Sequence, residues 1–272
     1  MNWSEAKSIL IVFFLVINMV FLGILIESDR NKYNVNADIM KASVDILNKA
    51  QITIGEDIIP KKNPKMKYAE AYNIIEDNMI FAKSLIGGDA YEAEGKYISP
   101  AGEAVIDGDF FSAVYYDKDY FDIAGIYDIE NKIQAVFKKL DFDDMGNYET
   151  EYEETENGGR ITIKNIIEAK PFFDSRIEIS MTGQSVEKIS GVWFVSDPDM
   201  ISNMTETKSI TGVLIDFKNM YDGELPVRIT GLNIGYYKGK PETYHKSFVL
   251  IPVWCIETSD GGVYYMDTRR TR

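Results

Sequence analysis

Few residues of this chain could do chemistry in concert. His245 is the single histidine of the 272 residues and Cys255 the single cysteine. One histidine excludes a two-histidine metal site and allows at most one Ser-His-Asp arrangement, for which no strained nucleophile-elbow motif presents a serine. His245 is therefore expected to be an ordinary strand or loop residue. Cys255 lies in the apolar run FVLIPVWCI, Phe248 to Ile256, where a small buried hydrophobe is expected rather than a thiolate nucleophile. A lone cysteine also excludes an intrachain disulfide.

Two loops imitate ligand sites and fail on spacing. Gly235-Tyr236-Tyr237-Lys238-Gly239-Lys240 has one spacer residue too few for a phosphate loop, and Pro241 stands where a Ser or Thr would reach magnesium. Asp141-Phe142-Asp143-Asp144-Met145-Gly146 begins like a calcium loop, yet Met145 takes the fifth ligand position and Tyr152 the twelfth, where a bidentate Glu is needed. Both are read as turns, and no catalytic residue, metal or cofactor is expected. Carboxylates are too numerous to single out a general acid and base. The net charge of −14 argues against a nucleic-acid partner, which would need phosphate-neutralising Lys and Arg.

The polar side chain in the most unusual setting is Asn18. It interrupts Ile9 to Ile26, ILIVFFLVINMVFLGILI, a run without charge that as a helix would span roughly 27 Å, close to the thickness of a bilayer core. The segment is apolar all round and passes through Leu25 and Ile26 into Glu27-Ser28-Asp29 without a small-residue cleavage site. It is expected to be an uncleaved single-pass anchor in the cell membrane and its lipid bilayer. Lys7 before it and Arg30, Lys32 and Lys41 after it leave the charge count equivocal. Long C-terminal regions cross largely regardless of charge, so a cytoplasmic N-terminus and an extracytoplasmic C-terminal domain are expected. An amide at mid-depth is costly unless another helix pairs with it. Asn18, with Gly23 allowing close approach, and Trp3 are thus the expected partner-binding residues.

The rest of the chain supplies alternating helices and strands. Asn36 can cap a helix carrying Ile39, Met40, Val44 and Leu47. Ile52 to Ile59 alternates weakly, and KKNPK, Lys61 to Lys65, is a turn. Helical spacing of Tyr68, Tyr72, Ile75, Met79 and Leu85 predicts a helix from Lys67 to Leu85, closed by Gly87-Gly88. Short strands are predicted at Lys96 to Ile98, Ala104 to Ile106 and Phe110 to Tyr116. Tyr127 to Leu140 follows as a helix with Asp128 and Glu130 in its first turn and Lys138-Lys139 in its last. A four-stranded meander covers Tyr148 to Thr155, Arg160 to Ile167, Ser175 to Met181 and Val186 to Val195, with Asn157-Gly158-Gly159 as a hairpin turn. Ser209 opens a helix to Tyr221. Parity then switches at Gly231, suggesting a bulge, and Pro252 argues for an edge or bulge in the run Phe248 to Ile256. With 17 Tyr and 14 Phe a core can be built.

The predicted fold class is a single N-terminal transmembrane helix plus an α+β ectodomain, amphipathic helices packed on antiparallel sheets in repeated helix-then-strands modules. The predicted divisions are a tail at 1–8, the membrane helix at 9–26, and modules at 27–118, 119–205 and 206–272.

The start, Asn2-Trp3-Ser4-x-Ala6-Lys7 running into an apolar helix with Asn18 at its middle, resembles that of the YycI regulators of low-GC Gram-positive bacteria. Gly235-Tyr236-Tyr237, Leu250-Ile251-Pro252-Val253-Trp254 and Tyr264-Tyr265 fit the same pattern, as does the length. The resemblance covers both ends and the order of elements; between Ala37 and Lys208 no motif carries it. It implies a non-enzymatic membrane regulator that, with a YycH-like companion, binds a WalK-like sensor histidine kinase and adjusts its activity in cell-wall homeostasis. It also implies an α+β ectodomain without catalytic residues. Two other classes stand beside it: a wall-binding or inhibitory module without a kinase partner, and an anchored hydrolase dependent on His245.

Overall fold

The computed structural model describes residues 3–32, 34–67, 69–121, 123, 125–142, 145–156, 158–196, 204–205, 207–239 and 247–268, with backbone alone at 4–6, 8–9, 27–32 and 204–205. Five helices are seen among them: α1 (Trp3–Lys32), α2 (Ala37–Lys49), α3 (Asn78–Ile86), α4 (Ile129–Leu140) and α5 (Ile210–Met220). Contrary to the expected anchor, no helix among the described residues is long and apolar enough to cross a membrane. The expected single-pass membrane localisation is corrected accordingly.

The strands are β1 (Ile52–Ile54), β2 (Met66–Lys67), β3 (Ala69–Asn73), β4 (Tyr91–Ala93), β5 (Lys96–Ser99), β6 (Gly102–Asp107), β7 (Phe110–Tyr115) and β8 (Asn147–Thr155). They continue with β9 (Gly158–Ile167), β10 (Lys170–Thr182), β11 (Ser185–Val192), β12 (Phe194–Ser196), β13 (Met204–Thr205), β14 (Val227–Lys238), β15 (Ser247–Thr258) and β16 (Val263–Asp267). Fourteen of them belong to one sheet with the order β12-β3-β15-β14-β10-β11-β7-β6-β5-β4; β1 joins at β14, β16 at β15, and β9 followed by β8 at β10. Strands β2 and β13 form a separate pair.

This corrects the predicted fold class, since one extended, mostly β sheet takes the place of repeated helix-then-strands modules with antiparallel sheets. β14 runs parallel to both β1 (Ile52↔Val227) and β10 (Phe172↔Tyr236). Neither pairing has a local turn signal, because the paired segments are far apart in the chain.

Local signals set the helix starts. Asn36 accepts from the Asp38 and Ile39 amides, Asp128 from Asn131, and Ser209 from Gly212, each satisfying donors that the first turn leaves free. α4 buries Ile133, Val136, Phe137 and Leu140. The predicted helix from Lys67 to Leu85 is split. Ala69 and Ala71 are buried at strand period in β3, Asn73 folds back to accept from the Ile75 amide, and only at Asp77, whose carboxylate accepts from Ile80, does α3 begin. Pro252 lies in β15, an interior strand of the sheet, beyond the end of its ladder with β3, which covers Ser247 to Leu250.

The chain divides into two compact units, each discontinuous in sequence. One comprises Met1–Lys65, Glu206–Leu232 and Ile256–Arg272. There α5 buries Ile210, Val213, Leu214 and Phe217, and Phe217, Tyr221 and Tyr264 meet edge to face or tilted at 5.3–5.7 Å. The other comprises Met66–Thr205 and Asn233–Cys255. Its core joins α3 and α4 to the inner faces of β6, β7, β9, β10 and β11 through Leu85, Phe111, Ile133, Ile163, Ile177 and Ile189, all fully buried. Asn165 ties β9 to its neighbours by donating to Ser175 Oγ at 3.0 Å and to the Phe194 carbonyl at 2.7 Å.

Tyr236 and Tyr148 are among the phenols of this second unit that stay protonated unusually far into alkali. Burial pushes Tyr236 up to about 12, its hydroxyl donating to the Lys67 carbonyl at 3.0 Å. Burial, with the Glu130 carboxylate that accepts its proton at 2.8 Å, does the same for Tyr148. The folded state therefore binds more protons than the unfolded one between the ordinary value of 10 and about 12. The stability these phenols contribute is complete below pH 10 and is lost as the pH rises through that window. Phenolate absorbance at about 295 nm should show a group of late-titrating tyrosines that includes these two, with one fewer in each of Tyr148→Phe and Tyr236→Phe. Titration of all the tyrosines together near 10 in the folded chain would contradict this.

Candidate functional site

The turn after β3 and the end of α4 enclose a cleft of about 610 Å³, within the size range of ligand pockets. One wall is built from Tyr72 to Asp77. Asn73 anchors it by donating to Asp109 at 2.7 Å, and the second oxygen of Asp109 accepts from Lys238. Lys238 in turn sits 5.0 and 4.9 Å over the Phe194 and Phe248 rings, so the wall is tied to the sheet by a charge-assisted chain with an aromatic seat. The opposite wall is Asp141, Phe142 and Met145. Asp141 ends α4 in the left-handed conformation (φ 59°), and the Phe142 amide donates back to the Phe137 carbonyl at 3.0 Å, a helix stop that turns the Phe142 ring inward.

The floor is aromatic. Phe142 stacks on Phe81 at 5.7 Å, and Phe81 meets Phe111 edge to face at 5.2 Å. Ile80 stands at the rim with 71% of its surface exposed, and Glu76, Asp77 and Asp141 are the charged lining residues, with no Lys or Arg among them. An apolar floor below an acidic rim suits a cationic side chain with an apolar stem, such as Lys or Arg of an incoming peptide. Ser84, the lining hydroxyl of α3, donates to the Phe81 carbonyl at 2.8 Å, and Asp77 is committed to the α3 cap.

The residues singled out in the sequence lie elsewhere. Trp3, Asn18 and Gly23 are on α1, where Trp3 is 75% exposed with the Lys7 ammonium 5.2 Å over its ring, and Asn18 is exposed. A Cβ added at Gly23 would meet nothing within 4 Å. His245 and Pro241 lie outside the described residues, as do Asp143 and Asp144 of the acidic loop. Met145 of that loop is buried and Cys255 is buried. Tyr236 and Trp254 are likewise interior, at 0 and 2% exposure. No group of three metal-ligating side chains occurs among the described residues. The cleft was missed because one wall, Tyr72 to Ser84, falls inside the span read as one long helix, and the other, Asp141, Phe142 and Met145, belongs to the loop read as an acidic turn. The signal that could have found it is the pair Asn73 and Asp77, a turn former and a helix cap four residues apart.

No family model matches the chain, and no curated protein does. Among solved structures it is similar to an uncharacterized protein from Eubacterium rectale ATCC 33656, with a TM-score of 0.47 and 11% identity over 81% of this chain and 90% of the other.

Proposed function

We propose that this chain is a non-enzymatic regulator that works by docking on other proteins. The partners implied by its terminal motifs are a WalK-like sensor histidine kinase, whose activity it adjusts in cell-wall homeostasis, and a YycH-like companion. The observation that carries the docking reading is α1. From Leu10 to Ile26 its large apolar side chains, among them Phe13, Phe14, Phe21 and Leu25, are about half exposed or more, with Ile17 somewhat less so. An apolar surface of this extent marks an interaction site, and helices of a protein partner can cover it. Asn18 would supply a directional hydrogen bond within that otherwise greasy contact, and the open side at Gly23 lets a partner helix approach closely.

The experiment is co-purification from cells of the kinase with tagged wild-type, Asn18→Leu and Gly23→Leu chains, scored with expression of the kinase's target genes. Both variants should accumulate normally yet retain less kinase, by about threefold to tenfold for the loss of one buried hydrogen bond. Undiminished association and signalling in both would remove α1 from the reading. Absence of the kinase from every sample would favour a regulator with a different partner.

A further inference from the structure

The sheet has a long open edge at β8. Its nine residues pair only with β9, from Asn147↔Ile166 to Thr155↔Gly158, and among the described residues no strand lies on its other side. Alternate backbone N–H and C=O groups of such an edge point outward and can receive another strand. The two faces of β8 differ. Thr150 and Tyr152 stand opposite Ile163 and Ile161, which are buried, so this face continues the core surface up to the edge. Tyr152 lies against Gly159 and still has 46% of its surface exposed. Glu149, Glu151 and Glu153 occupy the other face. Lys164 reaches Glu151 at 2.5 Å and Arg160 approaches Glu153 at 3.9 Å, which leaves three carboxylates against two cations on the paired strands.

We infer that β8 is a docking edge for an extended segment of a partner protein that adds as a further strand, with Lys or Arg on the face of Glu149, Glu151 and Glu153 and apolar residues alternating on the face of Tyr152. Charge complementarity fixes the first half of that pattern and the exposed ledge of core surface fixes the second. Acidic side chains alone would serve to repel other edges. They do not account for an apolar ledge carried out to an unpaired strand, whereas strand addition uses both. The inference concerns a surface other than α1 and holds whether or not the partner is a kinase.

The test uses the full chain and a labelled ten-residue peptide of alternating Lys and Val, with two further peptides N-methylated on alternate residues so that one or the other backbone edge is blocked. The parent peptide should bind with an affinity that falls as salt is raised, and one N-methylated peptide should bind while the other does not. Amide exchange within β8 should slow at alternate residues. Glu149→Gln/Glu151→Gln/Glu153→Gln, exposed changes with little effect on the fold, should weaken binding by about tenfold. Equal binding of both N-methylated peptides would reduce the contact to charge attraction and overturn strand addition. Failure of the parent peptide to bind, or its undiminished binding to the triple variant, would overturn the proposal as well.

Discussion

Gly191→Val should lower the melting temperature of the unit containing β11 by at least about 6 °C, or leave it unfolded when the protein is made at 37 °C. Gly191 is the last residue but one of β11, paired with Ile177 of β10 on one side and Phe111 of β7 on the other. A Cβ there would run into the Arg176 carbonyl oxygen and stand 2.8 Å from Ile177 Cα. Both are backbone of a neighbouring strand and cannot rotate away, so the ladder itself must separate. Overpacking a tight site costs roughly 3 kcal/mol or more, and in a unit of this size each kcal/mol is worth about 2–4 °C. Thermal unfolding followed by far-UV circular dichroism measures the drop. A melting temperature within about 2 °C of the parent would mean that β10 and β11 are not held at this spacing.

Phe111→Ala has a comparable cost and reaches the cleft as well. The Phe111 ring is fully buried, edge-on to Phe81 and 6.4 Å from Phe142. Deleting it leaves a cavity under the aromatic floor, at about 3–5 kcal/mol. Chemical denaturation should show the midpoint falling with an unchanged slope. Because Phe81 and Phe142 lose their support, an environment-sensitive apolar dye that reports on the cleft should respond differently in the folded variant, whereas Ile80→Ser at the rim should alter dye binding with little change in stability. An unchanged midpoint for Phe111→Ala would show that the ring is not part of a close-packed core.

The cleft and the β8 edge share an acidic and apolar character, and the chain's excess of carboxylates, read along the sequence, distinguished neither. Single acids such as Glu76, Asp77 and Glu149 look alike in the sequence. Asp77 is a helix cap, Glu76 lines an aromatic cleft and Glu149 stands on an open strand only because of what the fold places beside them.

The sequence by itself determined what is local. Asn36, Asp128 and Ser209 stop the backbone and start helices because each side chain serves amides two or three residues on. The α4 stripe from Ile133 to Leu140 follows from residues within reach of one another. The parity switch at Gly231 is legible for the same reason, and appears in β14 as burial of Val227 and Ile229 followed by Leu232, Ile234 and Tyr236. Tertiary structure decided the rest: that β14 runs parallel to β1 and β10, that β15 lies beside β3, and that Ala69–Asn73 is a strand although Tyr72, Ile75 and Met79 share helical spacing. The physical reason is that strand neighbours are chosen by burial of apolar faces between segments far apart in the chain. Each segment shows which of its sides is apolar and carries no mark of the strand that will cover it.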